Sequence, residues 1–223
     1  MLDVMEIFHS IDGEGTRAGE LTTFIRLAGC NLACKYCDTA YSINPKSEAF
    51  MKMEVADIAN KVLYQNVTIT GGEPLLQYEV VDLCIVLSKR GISVNVETNG
   101  TIVPPSFLQN ISDTIFFTVD YKTGCSGHED KMSARVFQCL SEKDVIKCVV
   151  ASRQDLENAL KNLKTWLPNL GEKNSPWVYF SPVFGKIQPH EIVDFMRMNF
   201  LTGKFRVQLQ LHKIIWDPSA REV

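Results

Sequence analysis

The chain predicts an α/β fold, a partial (incomplete) β/α barrel of about six to seven strands. Three observations point there. Short β-branched runs alternate with helix-period stretches, and strand–helix alternation of this kind builds a parallel sheet. Unusual polar and glycine-rich residues fall just after those runs, where parallel α/β sheets and barrels assemble their sites. The length of 223 residues is short of the ~250 that a complete eight-unit barrel takes.

The elements follow in order. Residues 6–11 alternate polar and apolar until Gly13 and Gly15 break the pattern, and 22–27 resume it: a strand, a glycine-rich loop and a second strand. Val55, Ile58, Ala59, Val62 and Leu63 share one helical face. Residues 66–70 read as a strand, and Leu76, Val80, Leu83, Cys84 and Leu87 mark a helix that Gly91 ends. The unit recurs as a strand at 93–97, a short helix at 104–110 and strands at 114–119 and 144–150. Ser152 with Asp155 is a capping signal for a helix through Leu156, Ala159, Leu160 and Leu163. A strand at 177–181 precedes Pro189, suited to the first turn of a helix bearing Ile192, Val193 and Met196, and 206–211 form the last strand. No repeat, low-complexity tract or linker interrupts the series, so a single domain over 1–223 is expected, with an N-terminal strand–loop–strand and a short C-terminal extension.

Composition narrows the function. With 45% hydrophobic and 22% charged residues, the chain can bury one core. A formal charge of -3 argues against attachment to nucleic acid by bulk positive charge. No apolar run is long enough for a membrane span, and the acids among the first residues do not suit a secretory signal, so a cytoplasmic location is expected. Seven cysteines is an odd number, and three of them crowd into 30–37; in a reducing compartment such a cluster suits metal binding or redox work better than disulfides.

Cys30, Cys34 and Cys37 are spaced Cys-x3-Cys-x2-Cys. Offsets of four and seven fit one helix face, but Gly29 and Asn31 are poor helix formers. A structural zinc site ordinarily takes four ligands, and no fourth is placed by a nearby cysteine or a paired histidine. Three cysteines on a four-iron cluster leave one iron open to a substrate or cofactor. Thr70-Gly71-Gly72-Glu73-Pro74 follows the next strand, Glu97-Thr98-Asn99-Gly100 ends another, and Asp120-Tyr121-Lys122, Ser181-Pro182 and His212-Lys213 end three more. These five polar strand ends point to one shared mouth.

The cysteine spacing together with Gly-Gly-Glu-Pro resembles the radical S-adenosylmethionine (SAM) enzymes, whose fold is a partial TIM-type barrel. Within them the chain is most similar to the 7-carboxy-7-deazaguanine synthase family, in the form common in clostridia. The matching stretches are Ile7-Phe8, Ile11, Gly13-Glu14-Gly15, Phe24 to Leu27, Gly29-Cys30, Cys37-Asp38-Thr39, Thr70 to Pro74, Glu97 to Gly100, Lys122, Ser126-Gly127, Gln210 and His212-Lys213. The resemblance implies a lyase of queuosine and 7-deazapurine biosynthesis. It would convert 6-carboxy-5,6,7,8-tetrahydropterin into 7-carboxy-7-deazaguanine, contracting the ring and losing ammonia. The implied cofactors are a 4Fe–4S cluster, SAM and Mg2+. The implied partners are the small pterin substrate, a flavodoxin or ferredoxin as electron donor and a second copy in a homodimer, with neither nucleic acid nor membrane.

Family roles carry over onto matching positions. Cys30, Cys34 and Cys37 would hold the cluster, and Thr39 would bind Mg2+, a hard cation that takes oxygen donors. Ile11, Asp12, Gly13, Glu14, Arg26 and Thr70 form the implied substrate set; Glu14 can accept from a pterin's guanidine-like edge, and Arg26 offers a fork that fits a carboxylate. Tyr36, Asp38, Gly71, Gly72, Glu73, Glu97, Asp120, Tyr121, Lys122, Ser181, Pro182, Val183 and Phe184 are implied to face SAM, the glycines by letting backbone approach its amino-acid moiety. No side chain is assigned a catalytic role, because the radical arises on SAM. Asp12 stands where the family usually has Gln, Asp120-Tyr121 replaces Ser-Pro, and Ser181 replaces Gln. The alternatives are a glycyl-radical activating enzyme, which has no need of a small-acid clamp such as Glu14 with Arg26, and a non-catalytic metal module, which leaves Gly71 to Pro74 unexplained.

Overall fold

The computed structural model describes residues 1–44 and 50–223. Its strands are β1 (Leu2–Ile11), β2 (Leu21–Leu27), β3 (Met51–Met53), β4 (Asn66–Gly71), β5 (Ser93–Thr98), β6 (Ile115–Lys122), β7 (Val145–Val150), β8 (Trp177–Pro182) and β9 (Phe205–Val207). They form one sheet in the order β3-β1-β2-β4-β5-β6-β7-β8-β9. From β2 onward every pairing is parallel, whereas β1 runs antiparallel to both β2 and β3. The order has two free ends, so the barrel is partial, as the sequence predicts, but the described residues form nine strands rather than the expected six to seven. The sheet is curled: Glu14, just beyond β1, reaches within 3.0 Å of Lys147 on β7.

The helices are α1 (Val55–Ala59), α2 (Val80–Lys89), α3 (Phe107–Ile111), α4 (Ala134–Gln138), α5 (Arg153–Trp166), α6 (Pro189–Met198) and α7 (His212–Ile215). Ser152 caps α5, its hydroxyl accepting from Asp155 N at 3.2 Å. Pro189 sits in the first turn of α6, where Gln188 and Glu191 form a capping box. Leu83 and Leu87 of α2 and Leu156, Ala159 and Leu163 of α5 belong to the same buried core as Val94, Val96, Phe117, Val119, Ile146 and Cys148. Period-2 alternation sends the neighbouring side chains to the opposite, concave face. That face is polar, carrying Thr68, Thr70, Asn95, Glu97, Thr118, Asp120, Lys122 and Lys147.

Four elements differ from the sequence expectation. The last strand stops at Val207; residues 208–211 lead away toward Gly13, whose carbonyl accepts from Leu211 N at 3.1 Å, and His212-Lys213 open α7 instead of ending a strand. Helix α1 ends at Ala59, leaving Leu63 66% exposed. Leu76 lies in a separate 3-10 turn before α2. Helix α3 starts only after Pro104 and Pro105, because the residue before a proline avoids helical backbone. The three-residue β3 has too short a pattern to read from sequence.

Candidate active site

The three cysteines lie on a loop between β2 and β3, not on a helix. Its backbone is tied at both ends: Gly29 N and Cys30 N donate to Ser42 O (2.8 Å) and Ile43 O (3.1 Å), and Lys35 N donates to Ser126 O (3.3 Å). All three thiols are free and half-buried, and they share the wall of one cavity of about 640 Å3. Cys30 Sγ accepts from Leu32 N at 3.4 Å and from Asn99 Nδ2 at 3.6 Å. Burial pushes the Cys30 and Cys34 thiols up, opposed at Cys30 by those donors and at Cys34 by the Lys122 ammonium. These thiols therefore need a bound cation to stay deprotonated.

The Gly-Gly-Glu-Pro turn lies directly beneath this loop. Gly72 N donates to Leu27 O at 3.0 Å and Glu73 N to Gly29 O at 2.8 Å. A Cβ on Gly71 would fall 2.1 Å from Leu27 O, and one on Gly72 would fall 2.0 Å from Gly29 O. The glycines thus let two backbones pack closely, and both also line the cavity where SAM is expected to lie. The Glu73 side chain is fully buried and turned away from the cavity, accepting from Leu75 N (3.0 Å), Thr98 Oγ1 (2.7 Å) and Asn99 N (2.6 Å).

Elsewhere on the wall, the end of β1 and the loop after it bring Ile11, Asp12, Gly13 and Glu14, with Arg26 and Thr70 on adjacent strands. Arg26 Nε donates to Glu6 Oε1 at 2.6 Å, which also accepts from Tyr41 Oη at 2.8 Å, and the guanidinium lies between the Phe8 and Tyr41 rings. Arg26 is thus both ion-paired and at the cavity surface. Thr70 Oγ1 donates to Glu97 Oε2 at 2.9 Å. Asp12 is committed elsewhere: its Oδ2 is ion-paired with Arg17 Nε at 2.9 Å, and its Oδ1 accepts from Thr68 at 2.8 Å. Burial outweighs both partners and raises its carboxyl to about 6.

A chain of charges also lines the cavity. Lys122 Nζ lies 2.6 Å from Asp120 Oδ2, and Lys147 Nζ lies 3.3 Å from Asp120 Oδ1 and 3.0 Å from Glu14 Oε2. Burial lifts the Asp120 carboxyl, but the two ammonium groups outweigh it and hold it below the usual carboxylate range. Tyr36 Oη is buried with no hydrogen-bond partner among the described residues. Asp38 is paired with Lys213 at 3.1 Å, which joins the cysteine loop to α7.

The Radical SAM superfamily model matches residues 24–198. The chain is 44% identical to the 7-carboxy-7-deazaguanine synthase of Clostridium acetobutylicum, over 99% of this chain and 98% of that protein. It belongs to the 7-carboxy-7-deazaguanine synthase family of radical SAM proteins. The relative of the same name from Chlorobaculum tepidum is 36% identical over 100% of this chain and 97% of its own length. QueE from Escherichia coli superposes with a TM-score of 0.69 over 92% of this chain and 93% of that one; at 22% identity the likeness concerns the fold.

Membership in the radical SAM superfamily brings a 4Fe–4S cluster and SAM, and the donor set fits them. Among the described residues no three or more His, Cys, Asp or Glu side chains stand close enough together to hold a single metal ion. The three free thiols suit a cluster whose own irons and sulfides fill the space between them. The cavity wall also holds Tyr36, Asp38, Thr39, Gly71, Gly72, Glu97, Asp120, Lys122, Val183 and Phe184.

Four residues expected to face SAM are not on that wall. Glu73 is turned inward, as described. Tyr121 alternates onto the core face, where its hydroxyl donates to Glu129 and accepts from Asn162. Ser181 is fully buried behind Glu14, with its hydroxyl 3.4 Å from Oε1, and Pro182 also lies off the wall. Also lining it are Phe8, Phe24, Tyr41 and Lys147, with Asn99 and His212 from the expected polar strand ends and the tail from Pro218 to Val223. For Lys147 the signal was present, as a single charge in an apolar strand in the same alternation phase as two valines.

Proposed function

We propose that the cavity converts 6-carboxy-5,6,7,8-tetrahydropterin into 7-carboxy-7-deazaguanine with loss of ammonia. The observation that carries this reading is the full-length identity to synthases of that name, joined to one cavity that holds both the three cysteines and Glu14 with Arg26. The cluster with SAM supplies hydrogen-atom abstraction from a carbon–hydrogen bond. Cys30, Cys34 and Cys37 hold the cluster, and Asn99 and the Leu32 amide, by donating to Cys30 Sγ, tune it. Asp38, Tyr36, Gly71, Gly72, Glu97, Asp120, Lys122, Val183 and Phe184 orient SAM. Thr39, with its hydroxyl 3.7 Å from Cys37 Sγ, supplies an oxygen ligand for Mg2+.

Arg26 meets the pterin carboxylate, and Glu6 fixes the guanidinium from behind so that its fork is presented rather than searching. Glu14 accepts from the pterin's amino-pyrimidine edge, Thr70 adds a hydroxyl, and the backbone of Ile11, Asp12 and Gly13 completes that side. Fixing the pterin between these groups holds the reacting carbon in one place relative to SAM, which is the protein's main contribution to rate. A flavodoxin or ferredoxin donates the electron, and the enzyme works as a homodimer in the cytoplasm; among the described residues no helix is long and apolar enough to cross a membrane.

The test is anaerobic incubation of reconstituted, reduced enzyme with SAM, Mg2+ and the carboxytetrahydropterin, with products read by mass spectrometry. A product of the deazaguanine mass is expected. SAM cleavage with the pterin returned intact rejects the reading.

A further inference from the structure

Lys147 sits in the middle of β7, a strand otherwise built of Val, Ile and Cys, and its side chain is 11% exposed. An isolated buried ammonium is costly and discharges instead. Here Glu14 Oε2 at 3.0 Å and Asp120 Oδ1 at 3.3 Å flank it. The register makes the second contact automatic, because Lys147 and Asp120 are Cα partners across β6 and β7. The first contact spans the barrel, from β7 to the loop after β1.

The two carboxylates depend on this lysine unequally. Asp120 has a second cation, with Lys122 Nζ at 2.6 Å from its other oxygen. Among the described residues, Glu14 otherwise meets only the Ser181 hydroxyl, at 3.4 Å. The other titratable groups facing Lys147 are Glu97 on β5, Lys122 on β6, Tyr36 and Asp38 on the cysteine loop and His212 on α7. Burial lowers the Lys147 ammonium, but Asp120, Glu14 and Glu97 more than offset it and keep the proton on, so Lys147 is no base at neutral pH.

We infer that Lys147 is a positioning residue: it pins the Glu14 carboxylate at the pterin side of the cavity, braced against Asp120 on the SAM side. The inference rests on the pterin reading above. Without the ammonium, Glu14 loses its main partner and is left facing the Asp120 carboxylate that shared it, so its side chain turns away. That change spoils an acceptor for the pterin's amino edge. The SAM side keeps its Asp120–Lys122 pair.

The test uses reconstituted holoenzyme with saturating SAM. Lys147→Met and Lys147→Gln, the second retaining polar atoms should the first fail to fold, raise the KM for the pterin about tenfold or more, with a smaller change in kcat. The SAM-induced change in the cluster's EPR spectrum persists in both. The double variant Glu14→Gln/Lys147→Gln is no worse than Glu14→Gln alone, because the lysine acts through that carboxylate. Lys147 variants that match an active wild type in KM, or losses that multiply in the double variant, overturn the positioning role and leave the pterin reading standing. A wild type inactive on the pterin overturns both.

Discussion

The backbone of Gly72 lies so near that of Gly29 that a Cβ on Gly72 would sit 2.0 Å from the Gly29 carbonyl oxygen. The Gly-Gly-Glu-Pro turn is thereby the bed on which the cysteine loop rests, with Glu73 N bonded to that same oxygen at 2.8 Å. Gly72→Ala must move backbone rather than a flexible side-chain end. It is expected to cost about 1–3 kcal/mol, the range of overpacking, and to lower the iron bound per chain after reconstitution. Gly29→Ala gives the contrast: its φ of +93° strains an alanine, but nothing lies within 4 Å of the added Cβ, so the expected cost is about 1–2 kcal/mol from backbone strain alone. Thermal melts with iron analysis check both, and equal iron content in Gly72→Ala and wild type rejects the bed.

Arg26 separates substrate handling from cofactor handling. Arg26→Ala removes the proposed carboxylate clamp, while the cysteines and the Asp120–Lys122 pair remain. Pterin turnover is expected to fall by at least ~tenfold, as for a lost charge-assisted pair, with SAM cleavage continuing uncoupled. Glu6→Gln is milder, since Arg26 keeps its place between the Phe8 and Tyr41 rings. Parallel loss of both activities in Arg26→Ala would assign the residue elsewhere.

Much of this is legible in the sequence. Alternation gave the parallel strands, and the cysteine spacing with Gly-Gly-Glu-Pro gave the chemistry, because metal ligands and tight turns constrain residue type strongly. What escaped was what depends on long-range closure. Lys147 meets Glu14 only because the sheet curls, and no local pattern encodes that. Arg17, 8% exposed, lies over the Phe116 ring and donates to Ser93 O and Val67 O, filling the barrel floor from a loop whose sequence reads as surface. Asp120-Tyr121-Lys122 looks in sequence like one polar strand end, but alternation sends Tyr121 to the core face.

Asp12 gives a pH signature. Its carboxyl holds a proton up to about 6 in the folded chain and only to its ordinary value of 3.8 when unfolded, burial outweighing Arg17 and Thr68. Between those values the folded state binds more protons, so the residue's contribution to stability falls as pH rises and levels off above about 6. Asp12→Asn carries no such proton. Relative to wild type it is expected to gain stability from pH 4 to pH 6, by up to ~3 kcal/mol. Urea unfolding across that range measures the gap; a constant gap, or one moving the other way, would show Asp12 ionised throughout by its pairing with Arg17.

If Cys30, Cys34 and Cys37 hold the four-iron cluster as proposed, one iron is left without a thiolate from them; Tyr36, whose buried hydroxyl has no partner among the described residues, and Asp120 line the same cavity. Adding SAM to the reduced, reconstituted protein is expected to change the cluster's EPR spectrum. Cys34→Ala is expected to hold less iron and to lose that response. An unchanged spectrum in the wild type would mean that a fourth ligand from the chain occupies the open iron.

Thr39 puts a hydroxyl beside Cys37, 3.7 Å from its sulfur, on the cavity wall between the cysteine loop and Tyr41. Mg2+ favours oxygen donors and keeps several of its waters, so a single hydroxyl suffices as the protein's share if substrate oxygens supply the rest. Thr39→Ala is expected to blunt the Mg2+ dependence of turnover, and Thr39→Ser to restore it, since serine keeps the oxygen and loses only a methyl. Neither change should alter stability by more than about 0.5 kcal/mol, because the side chain is half-exposed and away from the packed core. A Mg2+ titration on all three proteins decides the matter: an alanine variant that responds as wild type does removes Thr39 from the metal, and a serine variant that fails with the alanine one shows that the methyl group, not the hydroxyl, was required.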